Sequence, residues 1–137
     1  MKLHGFSKKQ RILKNKEFMR VFKRGRSLSN DLLFVHIIPN ELGYCRLGLA
    51  IGKEVHLAVW RNRIKRLIRE SFRLNKPALC GPAAGLDIIV RLRYDRKTVK
   101  DKKVPVSQRK LDKKIKTLKL PEVQKSLMEL LGKLPNH

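Results

Sequence analysis

Acidic residues are scarce in this chain of 137 residues and 16.0 kDa. It has 11 Asp and Glu against 34 Lys and Arg, which gives a formal net charge of +23. The acids are scattered along the sequence, and the four histidines show neither metal-ligand spacing nor a Ser or Cys partner arrangement. A protein nuclease of the two-metal type needs clustered carboxylates. We therefore expect no catalytic side chain and no metal ligand in this chain.

Cysteines are also few. The sequence has two, Cys45 and Cys80, and neither belongs to a CxxC motif. Two isolated cysteines make neither a disulfide scaffold nor a zinc site, so we expect both to be reduced, small apolar residues. This usage of cysteine is typical of a cytoplasmic protein.

Long apolar runs are missing. The longest, Leu32–Ile38, is interrupted by His36 and falls short of the roughly 18 residues that a membrane span needs. Residues 1–9 lack the apolar segment of a secretory signal. The sequence therefore predicts a cytoplasmic protein with no membrane partner.

What the chain does have is basic charge and enough apolar residues to fold. Hydrophobic residues make up 42% of the sequence, more than in a disordered basic tail, and the length predicts a single domain over residues 1–137. Basic residues concentrate in the regions 1–26, 58–75 and 96–120, which hold ten, six and eleven Lys and Arg. A folded domain with this charge repels itself unless an anionic partner neutralises it. Nucleic acid or an anionic membrane is the partner that this charge indicates, and nucleic acid is the one we expect.

Residue periodicity predicts an α+β fold with a single sheet packed by helices, in the order α-β-β-α-β-α with an optional third strand before the central helix. The first predicted element is a short helix that is capped by Asn15 and ended by Gly25, and two strands over Leu28–Ile38 and Tyr44–Ile51 follow it as an antiparallel hairpin. The central helix is predicted over Ala58–Asn75 and ends before Pro77. A half-buried strand over Leu86–Tyr94 and a last helix with Pro121 in its first turn complete the fold. The last helix has an apolar stripe of Val123, Leu127, Leu130, Leu131 and Leu134.

The central helix is apolar on one face and cationic on the other. Its apolar arc consists of Trp60, Ile64, Leu67, Ile68, Ser71 and Phe72. The opposite arc carries Lys65, Arg66, Arg69 and Arg73 with Asn62 among them, while Arg63 lies at its edge and Arg61 nearer the apolar boundary. A solvated helix mixes charges of both signs, but like charges at i, i+4 and i+8 destabilise a helix unless phosphates neutralise them. Because Arg binds phosphate in bidentate fashion, this face predicts RNA or DNA binding.

The string from Arg61 to Arg73, RNRIKRLIRESFR, resembles the RNR signature of the protein subunit of bacterial ribonuclease P. Further support comes from Phe18-x-x-x-Phe22 before Gly25, the Arg46-x-Gly48-Leu49 strand, Lys53 and the Ala58-Val59 pair, all at the spacing of that family. The sequence departs from the family pattern at Glu54, at His56-Leu57 and at Trp60, for which we expect a packing role.

This resemblance implies a ribosomal-protein-like fold with a left-handed crossover. It also implies a function: the protein binds the catalytic ribonuclease P RNA and the 5′ leader of precursor tRNA, and assists endonucleolytic removal of that leader. In that family the RNA holds the active site and, chiefly, the Mg²⁺. The expected partners are therefore ribonuclease P RNA and precursor tRNA, with no DNA.

The resemblance also implies roles for individual residues. The predicted contacts with the catalytic RNA are Arg61, Asn62, Arg63, Lys65, Arg66 and Arg69. The predicted contacts with the leader are Phe18, Phe22, His36 and Lys53. A cleft with aromatic rings for stacking and cations for the backbone holds single strands with little sequence preference, in agreement with this assignment.

A basic insertion at about 95–120 has no counterpart that the resemblance identifies. Ser107 is a candidate cap for a helix with Leu111, Ile115 and Leu118 on one stripe. Its many lysines favour a flexible or weakly ordered arm that adds RNA affinity without specificity.

Two other functions are compatible with the composition alone. One is a structural RNA-binding protein, such as a ribosomal protein or an assembly factor. The other is a DNA-binding module that lays the basic helix in a major groove, but the chain lacks leucine heptads for dimerisation and the apolar face of the helix is needed by its own sheet.

Overall fold

The computed structural model describes residues 11–40, 42, 44–52, 54–79, 85–93 and 113–131. In chain order its elements are α1 (Asn15–Arg24), β1 (Arg26–Ser29), β2 (Leu33–Pro39), β3 (Arg46–Leu49), α2 (Ala58–Leu79), β4 (Leu86–Leu92) and α3 (Leu120–Leu131). Residues 113–117 form a short helical segment ahead of α3. The predicted α+β class with a single sheet is confirmed.

The sheet has the strand order β1-β2-β4-β3. Strands β1, β2 and β4 are antiparallel, whereas β3 lies parallel to β4 at the edge. The predicted hairpin between 28–38 and 44–51 is therefore wrong. The first of these segments divides at Asn30, whose side-chain oxygen accepts hydrogen bonds from the backbone N–H groups of Leu32 and Leu33 at 3.0 and 2.9 Å. This turn pairs β2 with β1, and β4 takes the other side of β2.

Helix α2 connects the parallel strands β3 and β4. The helix continues past Pro77 to Leu79, so the predicted end at Asn75 is wrong. Proline removes one backbone hydrogen bond, and near the C-terminal end of a long helix the other bonds remain.

Helix α1 begins one residue earlier than a cap at Asn15 would place it. The capping position is Lys14, which makes no side-chain cap, and Asn15 is the first helical residue. The predicted end at Gly25 is confirmed, since its N–H donates to the carbonyl of Val21 at 2.8 Å. A Cβ at position 25 would lie 2.5 Å from that carbonyl oxygen and 2.8 Å from the carbonyl oxygen of Ile37. Only glycine allows this close approach.

Apolar residues cover both faces of the sheet. Helices α2 and α3 pack on one face over the main core, which includes Ile64, Ile68 and Phe72 of α2, and Trp60 packs against this core as expected. Helix α1 packs on the other face over a smaller cluster of Ile12, Val21 and Ile89. Residues 86–90 of β4 are all buried because β4 is a central strand with helices on both faces, so the predicted half-buried pattern is wrong there.

Residues 113–120 are part of the folded domain. Ile115 and Leu118 are buried in the main core, which confirms this part of the predicted stripe. The expectation of a flexible arm is wrong for these residues, because burial of both side chains fixes the segment against α2 and α3. The rest of the basic insertion, with Ser107 and Leu111, lies outside the described residues, as does Leu134 of the predicted last stripe.

Cys45 is buried and disulfide-bonded, so the expectation of a reduced thiol is wrong for this residue. Cys80 lies outside the described residues. No helix in the part of the chain that the structure describes is long and apolar enough to cross a membrane.

Candidate RNA-binding surface

Two half-buried phenylalanines of α1 lie against the sheet, where the sequence predicts a leader-binding pair. The ring centroids of Phe18 and Phe22 are 6.4 Å apart. Phe22 meets the ring of His36 in an edge-to-face contact with centroids 5.0 Å apart. Phe18 approaches the sheet where β3 has Gly48, and a Cβ there would lie 2.9 Å from its ring. The structure thus brings three of the four predicted leader residues to one face of the sheet.

His36 is held between two side chains and is 7% exposed. The Nε of Arg91 donates a hydrogen bond to His36 Nε2 at 3.0 Å, and Ser27 Oγ lies 2.9 Å from His36 Nδ1. Because Nε2 accepts, the ring proton of the neutral form belongs on Nδ1, where it is donated to Ser27. Burial lowers the pKa of His36, and the charge of Arg91 lowers it further. The histidine is therefore neutral at neutral pH, and it supports Arg91 and Phe22.

Arg91 lies between two aromatic rings. Its guanidinium carbon is 5.7 Å from the ring centroid of Phe22 and 5.1 Å from that of Phe34, while Arg93 lies 5.7 Å from Phe34. We define the aromatic–arginine strip as Phe18, Phe22, His36, Phe34, Arg91 and Arg93. Rings that stack bases, alternating with cations that attract phosphates, suit a single strand of RNA.

A groove joins this strip to helix α2. The backbone N–H of Ile12 donates to the carbonyl of Leu47 at 2.9 Å and thereby holds Arg11 beside the edge of the sheet. Arg11 then faces Lys65 and Arg69 of α2 across a groove that Phe18 also lines. On the other side of Arg69, a second groove is lined by Arg11, Asn62, Arg66, Arg69, Glu70 and Arg73. Burial and the nearby charge of Arg11 lower the pKa of Arg69, so cations crowd together here.

An ion network anchors α1 to the sheet next to this groove. Arg46 of β3 donates to both carboxylate oxygens of Asp87 on β4, at 2.8 and 2.6 Å, and also pairs with Glu17 of α1. Asn40 donates to the same buried Asp87 at 2.7 Å. The hydrogen bond to Asp87 contributes most to raising the pKa of Arg46. Since Glu17 precedes Phe18, this network fixes the register of α1 over the sheet.

Arg61 and Arg63 of the RNR string donate hydrogen bonds to backbone carbonyls of the chain itself. Arg61 donates to the carbonyl of Val55 at 2.9 Å and so ties α2 to the loop before it. Arg63 donates to the carbonyls of Ile115 and Leu118 at 3.3 and 2.8 Å. Neither lines the grooves that Asn62, Lys65, Arg66 and Arg69 line.

The family model described as Ribonuclease P matches residues 6–119. The chain belongs to the ribonuclease P protein family. The ribonuclease P protein component of Clostridioides difficile is 34% identical over 113 residues, which cover 82% of this chain and 91% of that protein. A Clostridium botulinum ribonuclease P protein component is 52% identical over 68 residues, which are 50% of this chain and 61% of that relative's length.

Solved structures of the ribonuclease P family share the fold. The protein from Thermotoga maritima matches with a TM-score of 0.70 and 28% identity, covering 92% of this chain and 98% of that one. The protein from Staphylococcus aureus matches with a TM-score of 0.67 and 32% identity, covering 93% and 98%.

In this member of the ribonuclease P family, the structure adds four basic or aromatic residues that the sequence did not single out as site residues: Arg11, Phe34, Arg91 and Arg93. Alternation along β4 indicates that Arg91 and Arg93 share a face, but the register that pairs Arg91 with Phe34 depends on strand order. Nothing in the sequence near Arg11 marks its place beside α2. Lys53, the fourth predicted leader contact, lies outside the described residues.

Proposed function

We propose that this chain is the protein subunit of ribonuclease P. It binds the catalytic RNA through α2 and holds the 5′ leader of precursor tRNA along the aromatic–arginine strip. In this way it assists Mg²⁺-dependent endonucleolytic removal of the leader to give the mature tRNA 5′ end. The observation that carries the proposal is the shared groove, in which Phe18 of the strip and Lys65 and Arg69 of α2 line the same space.

The chemistry of the described side chains favours an electrostatic role. Among the described residues, no group of three or more His, Cys, Asp or Glu side chains could hold a metal ion. Both the active site and Mg²⁺ would lie in the RNA, and no step would depend on a metal held by the protein. Catalytic RNA and precursor tRNA are polyanions that repel each other, and a bound protein of charge +23 lowers that repulsion. The enzyme would act in the cytoplasm, where tRNA is processed.

The strip has the features of a site for unpaired nucleotides. Phe22 and Phe34 offer ring surface for base stacking, and Arg91 between them offers a cation for the backbone. Such contacts recognise single-stranded nucleic acid largely without reading its sequence. They distinguish a precursor, which has a leader, from a mature tRNA, which has none.

The test is turnover of a precursor tRNA by bacterial ribonuclease P RNA at low Mg²⁺, with and without the protein. We expect a large gain in cleavage at the correct 5′ site, lost when Arg66 and Arg69 are both changed to Ala. A double variant of exposed lysines elsewhere, Lys23→Ala with Lys125→Ala, removes the same charge and should keep most of the gain. Tight RNA binding without any gain in turnover would instead indicate a structural RNA-binding protein.

A further inference from the structure

A lysine-rich segment lies along the flank of α2. The apolar residues of 113–119 turn inward, with Ile115 1% and Leu118 5% exposed, while the four lysines of the segment are exposed to solvent: Lys113, Lys114, Lys116 and Lys119. No acidic residue occurs in 113–119. The segment therefore presents one sign of charge in a fixed orientation.

Arg63 holds this segment in place. Its guanidinium spans the end of the helical turn and donates to two carbonyls, those of Ile115 and Leu118. The carbonyl of Ile115 also accepts the N–H of Leu118 at 3.2 Å, so Arg63 adds a second donor there and a side-chain donor to the carbonyl of Leu118. Its charge lies at the negative end of the short helical segment, where a cation is favourable. The planar fork of arginine suits this double contact in a way that a lysine ammonium does not.

The position of Arg63 on α2 fixes where the segment lies relative to the cationic groove. At about 100° per residue, Lys65 and Arg69 face Arg11 on one flank of α2, and Arg63 lies on the opposite flank. Asn62 and Arg66 project between these flanks. The cationic face of α2 is thus bordered by Arg11 on one side and by the lysines of 113–119 on the other.

We propose that residues 113–119 form a second wall of the surface that binds the catalytic RNA, and that Arg63 is a positioning residue that holds this wall against α2. This inference rests on the proposed function. The partner is the phosphate backbone of the same RNA that α2 contacts, because the lysines continue a surface of the same charge. Arg63 then acts through the segment, and its guanidinium serves the protein's own carbonyls.

The lysines are tested by the salt dependence of binding to ribonuclease P RNA in the absence of precursor tRNA. The triple variant Lys114→Gln, Lys116→Gln, Lys119→Gln is expected to lower the magnitude of the log–log slope by about 2, since each lost phosphate contact removes about 0.7–0.9. The matched control, Lys16→Gln, Arg20→Gln, Lys23→Gln, removes three exposed charges from α1. Equal slopes for the two triple variants would overturn the proposal.

Arg63 is tested with two substitutions. Arg63→Gln is expected to speed hydrogen exchange of the 113–118 amides and to weaken RNA binding, with little further loss when the three lysines are also changed. Arg63→Lys keeps the charge but not the fork, so we expect it not to restore binding. Two results would mean that Arg63 contacts RNA directly. One is RNA binding restored by Arg63→Lys. The other is unchanged hydrogen exchange in Arg63→Gln together with losses of RNA affinity that add fully to those of the triple lysine variant.

These measurements separate the inference from the function on which it rests. If the wild-type protein neither binds ribonuclease P RNA nor raises turnover, the proposed function fails. If the wild type does both and the two triple variants behave alike, the function stands and the second wall fails.

Discussion

At the scale of single residues, His36 shows how a predicted contact acquires a different role in the fold. The ring lies on the predicted face, but both of its nitrogens are engaged by Ser27 and Arg91, and Phe22 covers one edge. Because His36 is only 7% exposed, it offers less surface for contact on this face than the half-buried Phe22 and Arg91 do. His36 thus sets the position of the two side chains that carry the strip.

The protonation of His36 gives a stability prediction with a definite sign. Its pKa in the folded protein lies below the ordinary 6.5, so the unfolded chain binds more protons between those two values. The stabilisation is fully present above pH 6.5 and is lost as the pH falls toward the folded-state pKa. Urea unfolding at about pH 7.5 and about pH 5.5 is expected to show a larger loss for wild type than for His36→Gln. The exposed His56, changed to Gln, is the control, and an equal loss in His36→Gln would contradict the prediction.

Gly48 is the residue that lets Phe18 approach the sheet. An added Cβ would lie 2.9 Å from the Phe18 ring and 3.1 Å from Ile12 Cβ, so both side chains must shift. We expect Gly48→Ala to lower the free energy of unfolding by about 1–3 kcal/mol, the usual cost of overpacking. Because Phe18 lines the shared groove, the preference for precursor over mature tRNA should fall as well. Gly52→Ala, where the nearest atom is a flexible carboxylate 3.3 Å away, is the matched control and should leave that preference unchanged.

At the scale of elements, the ion network decides how α1 sits on the sheet. Asp87 is 1% exposed, so removing its partner leaves a buried carboxylate without its guanidinium. Arg46→Met is therefore expected to cost about 3–5 kcal/mol of stability.

Glu17→Gln leaves the pair between Arg46 and Asp87 intact and should cost less than about 1.5 kcal/mol of stability. Its effect should appear mainly in binding, as a weaker preference for precursor over mature tRNA at unchanged affinity for the catalytic RNA. Glu129→Gln, which removes an exposed carboxylate from α3, is the control; a parallel loss in both affinities for Glu17→Gln would show a general structural defect.

Local patterns predicted most elements but not their pairing. The 3.6-residue period of α2 and the turn residues around Gly25 gave helices that the structure confirms. Strand order depends on contacts between distant residues, and no local feature places β4 between β2 and β3. The turn at Asn30 was hidden because the flanking residues continue the β-type composition on both sides.

The same distinction applies to the candidate surface. Periodicity placed Lys65, Arg66 and Arg69 on one face of α2, and the structure places them along the grooves. Periodicity could not show that the side chain of Arg63 donates to carbonyls of residues more than fifty positions away. Helical angle gives the direction of a side chain, whereas its partner is set by whichever element packs on that side.

At the scale of the whole molecule, a charge of +23 makes folding and RNA binding respond to salt in opposite directions. In the free protein, like charges on α1, α2 and 113–119 repel across short distances, and salt screens that repulsion. We expect the free energy of unfolding to rise between about 50 mM and about 500 mM KCl. Affinity for ribonuclease P RNA should fall over the same range, because the release of counterions that drives phosphate binding is less favourable at high salt.

The control is the variant Lys16→Gln, Arg20→Gln, Lys23→Gln, which carries less charge and should gain less stability from salt than wild type. Stability that stays flat or falls with KCl would mean that local ion pairs outweigh the net repulsion. A rise would show that repulsion between like charges lowers the stability of the free protein and that a bound polyanion relieves it. The free subunit would then be least stable at the low salt concentrations at which its affinity for RNA is highest.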